Sequence, residues 1–394
     1  MRFIPFLIIC LFVHTSLSAL GIRESKKEII AAEEETVKTD PLRIRAREIA
    51  LSLDDRLLAA QTLISGIDGR SELTENMIEL LNGCPAGGIM LFRYNLNTTS
   101  AEIQNLTAQT VSLIQDQSGI PPFMAVDHEG GTVYRFMNRY AYLPRASDYW
   151  QIFQEKGKIW ALSRIEDDSY ASALDVIDLG INMNFAPVAE YLNDDNRGFL
   201  ESRSYGPDPF FTAEAVCAFT RGMQRAGIIC VLKHFPGSAG EDPHFTSSAL
   251  KGNRAALDSL VYPFAAAIKN GARAVMASHT LVPEFDDKIA SLSPAVMKTW
   301  LREDLGFDGI IICDDFSMAA AKSHSSGENI STEEAAIRSV AAGADMVLVW
   351  PSDLRRTHEA FMSALEDGSL PREKLLNAAS RIIYEKLSMG LINE

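Results

Sequence analysis

The chain has 394 residues, 47% of them hydrophobic, and a formal net charge of -15. That apolar content is ample for a large core, and the acidic balance without any Lys/Arg-rich run argues against nucleic acid or an anionic lipid surface as partner. Residues 46–394 suit a single α/β barrel better than two ordinary domains.

In chain order, Met1-Arg2, an apolar run over residues 3–13 and the small residues from Ser16 to Gly21 read as an export signal over 1–19. The run is short for a membrane span, so no span is expected once the signal is removed. The mature protein is then periplasmic or secreted. Residues 20–45 are charged and polar and read as a tether. Beyond them, helical periodicity covers 47–65 and 73–82, and a strand follows at 87–92. The remaining strands fall at 123–126, 181–186, 228–232, 274–277, 309–313 and 345–349. Helices fall at 99–117, 160–179, 212–226, 257–270, 294–305, 332–342, 354–366 and 371–388. Seven strands alternating with helices predict a TIM-type (β/α)8 barrel with one strand irregular or missing. Of the five cysteines, Cys10 lies in the signal, while Cys230 and Cys313 sit inside apolar runs, where Cys acts as a small hydrophobe. Cys84, Cys217, Cys230 and Cys313 therefore read as free thiols, and the absence of CxxC speaks against a cysteine-based zinc site.

Five polar residues stand where apolar runs end: Asp127, Lys233, His234, His279 and Asp314. Asp242 and His244 lie just past one such end, in a Gly- and Pro-containing loop. The carboxyl ends of barrel strands are where such folds place their active sites, so these seven describe a shared functional rim. In Asp242-Pro-His244 the carboxylate is spaced to hold the imidazole, fixing its tautomer and raising its basicity. In Cys313-Asp-Asp-Phe-Ser, successive side chains point different ways. Asp315 suits the cap of the following turn, which leaves Asp314 for chemistry.

Taken together, Asp127-His-Glu-Gly-Gly with a following arginine, Arg203-Ser-Tyr-Gly, Lys233-His-Phe-Pro-Gly, Asp242-Pro-His and Asp314-Asp-Phe-Ser-Met resemble glycoside hydrolase family 3 in its single-domain β-N-acetylglucosaminidase branch. The resemblance runs from about residue 50 to 390. It implies a retaining glycosidase with Asp314 as nucleophile and His244, paired with Asp242, as general acid/base. Asp127, Arg203, Lys233 and His234 would hold the sugar. The implied partner is a small N-acetylglucosamine-containing glycoside from peptidoglycan fragments or chitin-type oligosaccharides, with no cofactor and no metal. One departure is the loop Ser238-Ala-Gly-Glu-Asp-Pro-His, shorter than the branch pattern and stiffened by Pro243. The rival readings are a β-glucosidase of the same family, a non-catalytic glycan-binding barrel, and a metal-dependent hydrolase using His234, His244, His279 and Asp314. Against the last, no two histidines share a strand as H-x-H, and Lys233 beside His234 would repel a cation.

Overall fold

Eight short parallel strands close into one barrel, in the order β1 to β8. They are β1 (Leu63–Gly66), β2 (Gly88–Leu91), β3 (Phe123–Val126), β4 (Met183–Asn184), β5 (Ile229–Phe235), β6 (Ala274–Ala277), β7 (Ile310–Cys313) and β8 (Met346–Val349). The computed structural model describes residues 40–240, 248–318, 321 and 330–392. The expected signal and most of the tether, as well as Asp242 and His244, lie outside these residues.

Alternation decides which strand residues fill the barrel. Ile64, Met90, Phe123, Ala125, Met183, Ile229, Val231, Ala274, Met276, Ile310, Ile312 and Met346 form an interior cluster. Their neighbours Leu63, Ile89, Leu91, Met124, Val126, Leu232, Val275, Ile311 and Val347 pack outward under the helices. This two-residue period is what a pleated strand imposes, and burial on both faces explains why the strands read as unbroken apolar runs.

The strand that sequence periodicity does not reveal is β1. It pairs with β2 and with β8 and so closes the ring. Only Thr62 separates it from the helix Asp55–Gln61, so its apolar residues continue the helical pattern without a turn residue between. The expected strand at 181–186 shrinks to two residues. Asn182 and Asn184 spend their side chains on neighbouring backbone, at Met124 and His128, and Pro187 has no N–H to give. The expected helix at 257–270 is two, Arg254–Leu260 and Tyr262–Lys269, with Pro263 just after the break. Residues Ala295–Asp304 form a π-helix, and the following Leu305 N–H reaches back to Trp300 O at 3.0 Å. No helix among the described residues is long and apolar enough to cross a membrane.

The floor of the barrel is closed by the helix Arg372–Ser388. Its Ile382 joins the interior cluster, and its Lys386 is fully buried. The Lys386 ammonium donates to Gln61 Oε1 and Gly87 O, both at 2.9 Å, and lies 5.0 Å from the Phe123 ring centre. Burial alone pulls its pKa down to about 7. Cys84, Cys217, Cys230 and Cys313 are buried and unbridged, and burial pushes the thiols of Cys84 and Cys313 up to about 12.

Candidate active site

The residues just past each strand build the mouth. After β3 the chain runs Asp127-His-Glu-Gly-Gly. Asp127 and Glu129 face the mouth while His128 turns into the loop behind it. There His128 Nε2 donates to Ala141 O at 2.8 Å, and Asn184 accepts the His128 backbone N–H. Burial drives the His128 pKa down to about 4, so the ring is a neutral strut. Gly130 and Gly131 both adopt left-handed φ, and a Cβ on Gly130 would lie 2.3 Å from Pro144 O. Only glycine permits that close return of the loop.

β5 contributes Lys233 and His234. In a regular strand they would point to opposite faces, yet both end buried at the mouth, where the register of β5 against β6 shifts between Leu232 and Phe235. Lys233 Nζ is shared between Asp127 Oδ1 and Glu129 Oε1, the latter at 2.6 Å. Arg135 pairs with the other Asp127 oxygen. Arg203 grips Glu129 through two hydrogen bonds of 2.8 Å and lies over the Phe199 ring. Burial would raise the pKa of Asp127 and Glu129, but the cations outweigh it and hold both carboxylates below their ordinary range. The same exchange keeps Lys233 charged: burial lowers its pKa, and the two carboxylates raise it further. Three cations thus meet two carboxylates, leaving N–H donors for a neutral, oxygen-rich ligand.

A carboxylate absent from the sequence motifs completes this side. The chain past β4 returns beside β5, with Val188 bridged to Lys233. This brings the buried Glu190 against His234. Glu190 Oε1 accepts from His234 Nδ1 at 2.8 Å, from the His234 backbone N–H at 3.1 Å and from Ser238 Oγ at 3.2 Å, while Oε2 accepts from the Ser238 N–H. Burial raises its pKa, and these donors more than offset that, so the carboxyl stays ionised. With Nδ1 donating to Glu190, His234 presents Nε2 to the mouth.

After β7, the two aspartates make different contacts. Asp314 Oδ1 accepts the Asp315 N–H at 2.9 Å, and its second oxygen has no hydrogen-bond partner among the described residues. Asp315 turns away, accepting from the Ser317 N–H and hydroxyl at 2.7 Å each. His279, expected from the sequence to be part of the functional rim, is instead a support. Its Nε2 donates to Asp315 O at 3.0 Å, its Nδ1 accepts from Ser291 Oγ at 2.7 Å, and burial lowers its pKa. Both ring nitrogens are spent, one on the chain just past β7 and the other on Ser291.

The structure therefore brings Asp127, Lys233, His234 and Asp314 from strand ends, and Arg203 from the turn Glu201–Arg203, to the mouth, and adds Glu129, Arg135 and Glu190. Glu129 stands inside a motif whose aspartate draws the attention. Glu190 follows the apolar run 185–189, so the same strand-end rule could have found it.

Comparison with known proteins fits this geometry. A family model described as the glycosyl hydrolase family 3 N terminal domain matches residues 56–384. A β-hexosaminidase of Stenotrophomonas maltophilia (strain R551-3) is 33% identical over 325 residues, covering 81% of this chain and 91% of its own. One from Methylococcus capsulatus is 33% identical over 289 residues, 71% of this chain and 79% of its own. Among solved structures, a family 3 β-N-acetylglucosaminidase from Paenibacillus sp. str. FPU-7 superposes with a TM-score of 0.80 at 28% identity, covering 87% of this chain and 64% of that one. NagZ from Neisseria gonorrhoeae, solved with N-trifluoroacetyl-D-glucosamine, gives 0.66 at 26% identity, over 81% of this chain and 98% of that one.

Proposed function

The chain belongs to glycosyl hydrolase family 3 and is an enzyme of its β-hexosaminidase kind, and from that premise we propose that it releases terminal β-linked N-acetylglucosamine with retention of configuration. The observation that carries this reading is Asp314, a strand-end carboxylate with one oxygen that has no hydrogen-bond partner among the described residues, on the same mouth as a cluster carrying more cations than carboxylates.

In the proposed reaction, Lys233, Arg203 and Asp127 fix the sugar's hydroxyl and acetamido groups, and His234 binds through Nε2. Asp314 attacks the anomeric carbon as the bond to the leaving oxygen breaks, giving a glycosyl-Asp314 ester. His244, kept basic by Asp242, donates its proton to the leaving oxygen. It then takes one from the water that cleaves the ester. The natural glycan is a peptidoglycan fragment or a chitin-type oligosaccharide. The apolar residues 3–13 and the small residues after them support an exported enzyme.

Proton NMR of the first product tests the reading. Retention requires the β-anomer to appear before mutarotation, and initial α-anomer would remove Asp314 from the nucleophile's role. A panel of N-acetyl-β-glucosaminide and β-glucoside separates this reading from a glucosidase of the same family, which would favour the second.

A further inference from the structure

One exposed aromatic ring at the mouth has no part in the chemistry above. Trp350 directly follows β8 and is 39% exposed. Its backbone is fixed, since its carbonyl accepts the Asp353 and Leu354 N–H groups at 2.9 and 3.1 Å and Pro351 opens the helix behind it. Its indole N–H is fixed too, donating to Asp315 Oδ2 at 2.7 Å and Ser317 Oγ at 3.1 Å. One face of the ring is covered by Phe92 at the end of β2, with centroids 4.9 Å apart and planes within 11°. Phe92 packs on the interior cluster of the barrel, so this stack stands over the lumen. Between them β1 ends in Gly66, where a Cβ would come within 3.0 Å of the Phe92 ring. A glycine there leaves Phe92 the space it occupies beneath Trp350.

A tryptophan that only filled a gap in the rim would be covered on both faces. This one stacks on Phe92 and is held at its indole N–H, yet 39% of it stays exposed. Its anchor is the residue next to Asp314. A pyranose ring has an apolar face of C–H groups that suits an aromatic surface, and tryptophan offers the largest such surface among the side chains. We propose that the free face of Trp350 is the platform on which the leaving-group sugar stacks, and that Asp315 is the positioning residue that sets its angle. This rests on the reading of Asp314 as nucleophile and extends it to the aglycone side. The ligand class is a saccharide ring, recognised by its C–H face rather than by charge.

The test compares N,N′-diacetylchitobiose, whose leaving group is a sugar, with N-acetyl-β-glucosaminyl fluoride, whose leaving group has no ring. Trp350→Ala should lose at least about tenfold more in kcat/KM on the disaccharide than on the fluoride, mainly through KM. Trp350→Phe keeps a ring and should retain most of the disaccharide preference. Should Trp350→Ala not fold, the wild type still reports: titration with N-acetylglucosamine oligosaccharides should shift tryptophan emission, and Trp350→Phe should abolish that shift. Equal losses on both substrates, no loss on either, or an emission shift that survives Trp350→Phe would each overturn the proposal. A wild type that hydrolyses neither substrate would overturn the underlying reading, and this one with it.

Discussion

At the mouth of the barrel five charged side chains share each other's hydrogen bonds, while at the floor Lys386 is buried on neutral acceptors and, among the described residues, is paired with no carboxylate. Both poles bury cations, but the consequences are opposite. At the mouth, Asp127 and Glu129 keep Lys233 charged against the pull of burial. At the floor nothing opposes burial, and the Lys386 pKa falls to about 7. A buried ammonium is therefore a fixed charge for ligand binding in one place and a group whose charge burial erodes in the other. Its surroundings make the difference, since both are lysines at the ends of the same barrel.

The largest break in this contrast should come from Asp314→Asn. It keeps the shape of the mouth and removes the nucleophile, so turnover should fall roughly a thousandfold or more with the melting temperature nearly unchanged. If Asp315→Asn is the dead variant and Asp314→Asn the active one, the two aspartates have been assigned in the wrong order.

Lys233→Met comes next. It leaves Asp127 and Glu129 buried with one shared cation removed, at a cost of roughly 3–5 kcal/mol in stability. The sign with pH is set by the depressed carboxylates. The stability they contribute is present above their unfolded pKa and is lost as pH falls through the acid range. The gap between wild type and variant, measured by urea unfolding, should therefore narrow toward acid pH. A gap that stays constant with pH would show that the carboxylates do not depend on Lys233.

Glu190→Gln is a subtler probe. Every partner of Glu190 is a donor, from His234 and Ser238, and an amide offers only one accepting oxygen. One donor then faces an NH2 group, at about 1–3 kcal/mol. The loss should appear in KM, and it should largely vanish in a His234→Ala background because Glu190 acts through that ring. Additive losses would mean that Glu190 serves the fold alone.

The last probe belongs to the floor, and it is read as a slope with pH rather than as a loss of activity. The folded pKa of Lys386 is depressed, so between about pH 7 and 10.5 the unfolded chain holds a proton that the folded chain lacks, and stability rises with pH across that window. The slope contributed approaches about 1.4 kcal/mol per pH unit. Lys386→Met should flatten it, and an unchanged slope in urea unfolding between pH 7 and 10 would place the titration elsewhere.

Most of the barrel was legible because strands buried on both faces are apolar runs with a polar residue at the end, and that rule points to Asp127, Lys233, His234 and Asp314, which do lie at strand ends. It failed where punctuation was missing. Thr62 alone separates the helix before β1 from the strand, and periodicity has no means of registering a change of element across one residue. It also over-reached at His279, which satisfies the same rule yet spends both ring nitrogens on Ser291 and Asp315. Partners cannot be read from spacing, since a strand-end residue can equally face the ligand or its neighbour. Lys386 carried a readable signal: it lies three and four residues past Ile383 and Ile382, on the inward face of its helix.

The buried cysteines have a practical consequence. Cys84, Cys217, Cys230 and Cys313 are enclosed, and burial keeps their thiols protonated. Alkylating reagents and oxidants act on exposed thiolates, so among the described residues the folded chain presents them with no target. A single cysteine introduced on the rim, beside Trp350 for instance, would be the only exposed thiol among the described residues. It would take a fluorophore or spin label without removal of Cys84, Cys217, Cys230 or Cys313.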